Sequence, residues 1–197
     1  MSSFPGDSGL RHDKFGEVLE SVVSFADAIL RPRDAHYTTV HERLGKYTPF
    51  FDGCIGALDG THIRVCVDRK AHDDFTNRKG WTSQNVIAVC DFDMWFTFVG
   101  VGKAGAVHDM KVLRDAWAVP GFPHPPEGRY YLVDSGYAGE AGYLGPYRNN
   151  RYHLREFERR RAENWDEVYN FHHSSLRNDM GKVRDWVKFG VASLQLK

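Results

Sequence analysis

The chain has 197 residues, 42% apolar and 14% aromatic, which suits one packed core with small additions and excludes disorder. Its 26 Lys and Arg balance 26 Asp and Glu, so no net field attracts polyanions, and contact with nucleic acid requires a local basic patch. No run of about 18 apolar residues is present to span a bilayer, which argues against a membrane partner.

Met1 to Arg11 is Gly/Ser/Asp-rich without an apolar signal core, pointing to the cytosol or nucleus. Phe15, Val18, Leu19, Val22, Val23, Ala26, Ile29 and Leu30 recur at helical spacing and predict one amphipathic helix that stops before Pro32. Its apolar stripe needs a second surface. We expect residues 1–50 to form a helical linker lacking a full helix-turn-helix, and 51–197 to form the main domain. Ile55 to Val67 reads as a strand. Period two puts Ile55, Ala57, Asp59, Thr61, Ile63, Val65 and Val67 on one face, so an acid sits mid-strand. Asn85 to Cys90 and Trp95 to Val101 are apolar runs joined through Asp91-Phe92-Asp93, a hairpin. Cys54, Cys66 and Cys90 lie in apolar runs without metal-ligand spacing and are expected to be buried thiols. His108 to Trp117 predicts a helix with Asp109 at its N-cap. Arg129 to Val133 predicts a fourth strand that Asp134-Ser135-Gly136 ends. A basic segment, Arg148 to Arg161, and a helix from Ser174 to Phe189 complete the chain.

Three antiparallel strands, a helix and a fourth strand make the connectivity of an RNase H-like α/β fold, a mixed sheet in which strand four lies beside strand one. Asp59 and Asp134 then converge on one side of the sheet. Hard carboxylate oxygens suit Mg²⁺, and two such ions about 3.5 to 4 Å apart activate a water or 3′-hydroxyl at a phosphodiester. The competing readings are a structural Asp59 and a turn-forming Asp134. Asp109 reads equally as a supporting ligand or a helix cap. Arg78 and Lys79 reach a DNA phosphate or form a solvated loop. Arg148, Arg151, Arg155, Arg159, Arg160 and Arg161, interleaved with Tyr147, Tyr152 and Phe157, contact phosphates or form a solvated face.

Nine ordered blocks narrow these choices. They are Gly56-Ala57-Leu58-Asp59-Gly60-Thr61-His62-Ile63, Arg78-Lys79-Gly80, Ser83-Gln84-Asn85, Cys90-Asp91-Phe92-Asp93, His108-Asp109, Val133-Asp134-Ser135-Gly136-Tyr137, Pro146-Tyr147-Arg148, Arg151-Tyr152-His153-Leu154 and His173-Ser174-Ser175-Leu176-Arg177-Asn178. In this succession they resemble the DDE superfamily endonuclease domain of PIF/Harbinger transposases and the nucleases derived from them. The resemblance implies two Mg²⁺ or Mn²⁺ ions, DNA as substrate, a nuclear location and a Myb-like partner protein. Residue by residue it places catalytic, metal-holding aspartates at Asp59 and Asp134. Asp109 stands beside them as a candidate supporting metal ligand, and Arg78, Lys79, Arg148, Arg151 and Arg177 as candidate DNA contacts.

The chain departs from the pattern after Asn178. The family glutamate falls four positions after Arg177, where this sequence has Gly181. Asp185 is one helical turn further, about 6 Å along the axis, and is too short and too distant to substitute in place. A family lysine position is matched by Lys188. Either the third carboxylate was lost or the segment 179–197 comes from a shifted frame. A shifted frame implies that the ancestral enzyme was intact, and a true Gly181 implies that catalysis is lost. The expectation is an impaired metal-dependent nuclease, with a silent protein that binds DNA or a partner as the alternative.

Overall fold

A computed structural model describes residues 7–34, 36–158 and 160–180. The helices are α1 (Asp7–Ile29), α2 (His72–Phe75), α3 (Asp109–Trp117), α4 (Leu154–Phe157) and α5 (Trp165–Met180), with short 3₁₀ turns at Glu42–Tyr47 and Arg69–Ala71. The strands are β1 (Cys54–Arg64), β2 (Ser83–Cys90), β3 (Phe96–Ala104), β4 (Tyr130–Leu132) and β5 (Tyr143–Leu144), in sheet order β3-β2-β1-β4-β5. The β1–β2 and β2–β3 pairs are antiparallel, whereas β4 runs parallel to β1 and β5 parallel to β4. The predicted RNase H-like mixed sheet is therefore present, with β1 at its centre.

Local chemistry explains the connections. Asp91 Oδ1 accepts from the backbone N–H of Asp93 (2.9 Å) and Trp95 (3.0 Å), closing the β2–β3 hairpin while Met94 takes φ 69°. The crossover from β3 to β4 lays α3 on one face. There Val112, Leu113 and Ala116 pack against Leu58, Ile87, Val89 and Tyr131. The other face holds Ala57, Ala88, Cys90 and Leu132, covered by Leu176 and Met180 of α5 and by Leu44, Tyr47 and Phe51. Each fully buried leucine on these faces contributes about 1.5–3 kcal/mol relative to exposure.

Several expectations shift. Ile55 and Ala57 belong to opposite faces, because the pairing of β1 with β4 changes register between Cys54 and Gly56. β1 stops at Arg64, leaving Cys66 exposed while Cys54 and Cys90 are buried. His108, not Asp109, caps α3: its Nδ1 accepts from the Met110 N–H at 3.2 Å. The last helix starts at Trp165 rather than Ser174, since Asn164 Oδ1 accepts from the Glu167 N–H at 2.8 Å and provides an N-cap nine residues earlier than expected. The apolar stripe of α1 is exposed, with Phe15 at 66% and Val22 at 57%. Arg159, Gly181, Asp185, Lys188 and the rest of 181–197 lie outside the described residues.

Candidate active site

Asp59 sits mid-strand in β1 opposite Ala88 of β2, and Asp134 lies just past the end of β4. Because β4 is parallel and adjacent to β1, the two carboxylates open into one cavity of about 440 Å³, together with Ser135, Tyr152, His153, Ser174 and Arg177. Asp59 Oδ1 accepts from the Gly60 N–H at 2.9 Å, and Asp134 Oδ1 from the Ser135 N–H at 2.7 Å. Gly60 permits this arrangement. A Cβ there would overlap the Tyr137 hydroxyl, which packs on the opposite face of β1.

Between the carboxylates stands a guanidinium. Arg177 Nη2 is 3.1 Å from Asp59 Oδ2, its Nη1 is 3.8 Å from Asp134 Oδ1, and Nη1 donates to the Tyr152 hydroxyl at 2.9 Å. The Arg177 side chain is only 15% exposed, against 23% for Asp59 and 51% for Asp134. Burial works against its charge, but Asp59, Tyr152 and Asp134 together hold the guanidinium above its ordinary pKa.

A family model described as DDE superfamily endonuclease matches residues 58–193, a span that contains Asp59, Asp109, Asp134 and Arg177 and more than half of the chain. The chain belongs to the DDE superfamily endonucleases. No curated protein and no solved structure matches it. Endonucleases of this superfamily typically use divalent metals, and the residues of this member test that expectation. Two hard carboxylates converge, but a cation of the protein itself already bridges them, and the sequence carries Gly at position 181. Among the described residues no group of three or more His, Cys, Asp and Glu can hold an ion. Among the described residues the donor set does not fit a two-ion centre.

Asp109 of this endonuclease domain lies apart from the pair. It lines a neighbouring cavity with Gly60, Thr61, His62, Arg78, Lys79 and Trp81, and its Oδ1 accepts from Asn85 Nδ2 at 3.3 Å. Gly136 passes so close that a Cβ there would stand 2.9 Å from Asp109 Oδ2. Burial, then the charges of Asp109, Asp59 and Asp134, push the Tyr137 phenol far above its ordinary pKa, so it stays protonated.

The basic residues divide by what they touch. Arg78 and Lys79 are exposed at the rim of the Asp109 cavity, where the Arg64 guanidinium stacks on Trp81 at 4.7 Å. Arg148 is exposed beside the carboxylates, with Nη2 donating to the Ser135 carbonyl at 3.4 Å. Arg151 instead faces inward, to Glu167 and to the carbonyls of Arg160 (3.2 Å) and Arg161 (2.9 Å). Sequence reasoning grouped Arg177 with the DNA contacts and did not single out Tyr152 as its partner. A signal was present, since the family pattern sets this arginine four positions before its glutamate, a spacing that would put both on one face of a helix.

Proposed function

We propose that the chain is a Harbinger-type, transposase-derived DNA-binding domain in which metal-dependent strand cleavage is impaired. The observation that carries this reading is Gly181 where the family glutamate belongs, which leaves Asp59 and Asp134, with the Arg177 guanidinium beside them, without the third carboxylate. Loss of the third carboxylate weakens the hold on divalent ions, and transition-state charge stabilisation is the main contribution of such ions. DNA follows from the family as substrate. Arg78, Lys79 and Arg148 are exposed and free to meet phosphates, while Arg151 acts as an internal clip. Nuclear location is part of the same reading.

The test combines binding and nicking. Affinity for duplex DNA should fall steeply with salt and show little sequence preference. In Mn²⁺, supercoiled plasmid should be nicked by wild type at a rate close to that of Asp59→Ala. Rapid nicking by wild type that Asp59→Ala abolishes would show an intact nuclease.

A second reading, docking of a Myb-like partner, draws on the exposed apolar residues Phe15, Val18, Val22 and Phe25 of α1. Co-purification with that partner, lost on Val18→Glu with Val22→Glu, is its check.

A further inference from the structure

We infer that the cavity lined by Asp109 receives an unstacked guanine base, with its 5′-phosphate at the rim. The inference rests on reading DNA as the substrate, since an unpaired base of a DNA strand is one source of this ligand and a free nucleotide the other. The cavity measures about 430 Å³, within the range of small-ligand pockets. Its inner wall is rich in acceptors. Asn85 Nδ2 donates to Asp109 Oδ1 at 3.3 Å and to the Val107 carbonyl at 3.5 Å, and both residues line the cavity. Asn85 is 1% exposed, and its Oδ1 has no partner among the described residues. The Tyr137 hydroxyl, also buried, is likewise unpartnered there. Both atoms border Gly60, which lines the same cavity: a Cβ on Gly60 would overlap the hydroxyl and stand 3.6 Å from Asn85 Oδ1. Buried polar atoms are costly until they are paired, so this wall calls for a polar guest.

The same wall selects among bases. The Asp109 carboxylate, the Val107 carbonyl and Asn85 Oδ1 accept, while the protonated Tyr137 hydroxyl donates. Guanine matches, because its Watson–Crick edge sets two donors, N1–H and N2–H, beside the O6 acceptor. Thymine offers a single N3–H between two carbonyl oxygens, which would face other acceptors. In paired duplex that edge is already taken, so the pocket adds no preference to duplex binding. The Arg64 guanidinium, stacked on Trp81 at 4.7 Å, gives the cavity a planar side, and bases stack on guanidinium planes and aromatic rings alike. Arg78 and Lys79 are exposed at the rim, where a 5′-phosphate meets two positive charges. Their loop is anchored: the Lys79 N–H donates to Asn77 Oδ1 at 2.8 Å, and Asn77 Nδ2 to Ser83 Oγ at 2.9 Å.

Calorimetric titration with GMP, TMP and guanosine decides, using wild type, Asp109→Asn, and Arg78→Gln combined with Lys79→Gln. Wild type should bind GMP at least about tenfold more tightly than TMP, a difference of about 1.4 kcal/mol, and Asp109→Asn should erase that preference. The double variant should weaken GMP severalfold and leave guanosine unchanged. No GMP binding, equal binding of GMP and TMP, or a preference that survives Asp109→Asn overturns the inference. Should Asp109→Asn fail to fold, IMP, which lacks the N2 amino group, decides on wild type: binding severalfold weaker than GMP supports the pocket, and equal binding refutes it. A single strand of T carrying one G, set against the same strand all in T, identifies the source. Tighter binding of the strand with G assigns the pocket to DNA, whereas GMP selectivity without a strand preference assigns it to a free nucleotide. Loss of all DNA binding would sink the DNA reading and leave the GMP result standing.

Discussion

Arg151 grips Glu167 with two donors, Nε to Oε1 at 2.9 Å and Nη2 to Oε2 at 2.6 Å. Glu167 occupies the first turn of α5, and its carboxylate also accepts from the Glu163 N–H at 2.8 Å. The Arg151 side chain hydrogen bond comes first in holding the Glu167 carboxyl down to about 2. This clip fixes where α5 begins, and so the level at which Arg177, farther along the helix, meets Asp59. Asn170 reinforces it by donating to the carbonyls of Tyr147 and Arg151, each at 3.0 Å.

Replacing Arg151 and Arg148 by Gln should therefore have different effects. Arg151→Gln breaks the bidentate pair, and the melting temperature should fall by several degrees. Arg148→Gln should leave stability unchanged but lower the slope of log affinity for DNA against log salt by about 0.9, one phosphate contact. Thermal melts and binding isotherms at several salt concentrations check both.

Gly60→Ala should destabilise the domain by about 1–3 kcal/mol, because the new methyl overlaps the Tyr137 hydroxyl and one side must move. Gly60→Ala combined with Tyr137→Phe should recover part of that loss. Urea denaturation measures the two variants, and a Gly60→Ala domain as stable as wild type would contradict the packing of Tyr137 on β1.

The architecture was legible where chemistry is local. Alternation gave β1, the Asp91 turn gave the hairpin, and the fourth strand followed from its terminating Asp-Ser-Gly; together they brought Asp59 and Asp134 into one cavity. The two-residue β5 is too short to leave a periodic signal. The opposite facing of Ile55 and Ala57 depends on a register change against β4, a strand more than sixty residues away in sequence. Asp109 outranks His by composition as a cap, yet the His108 ring supplied the acceptor and released the Asp109 carboxylate toward Asn85. The place of Arg177 depended on the start of α5, set by Asn164 and by the Arg151–Glu167 pair, neither of which is a sequence neighbour of Arg177.

His173 makes stability depend on pH. It is fully buried, with Nε2 at 3.0 Å from the Leu144 carbonyl, and burial pushes its imidazole down to about 4 from 6.5. The unfolded chain thus binds a proton that the folded chain refuses between those values. The contribution is fully present above about pH 6.5 and is lost as pH falls toward about 4. The melting temperature should drop by about 5 °C or more between pH 7.5 and pH 5, and His173→Gln should flatten this dependence. Loss of the Glu167 clip belongs to a lower window, below 4.5 and toward about 2.

The three cysteines should separate under a thiol reagent. Burial pushes Cys54 and Cys90 up to about 12, while Cys66 is exposed. Reaction proceeds through the thiolate. Native protein should show one fast thiol, Cys66, and denatured protein all three; fast labelling of Cys54 or Cys90 in the native state would contradict the packing of β1 against β2.

The most direct test of the site is the anomalous difference density of wild-type crystals equilibrated with Mn²⁺. The expected result is the Arg177 guanidinium bridging Asp59 and Asp134 with no Mn²⁺ peak between them. A wild-type peak bound by Asp59 and Asp134, with Arg177 turned away, would contradict it.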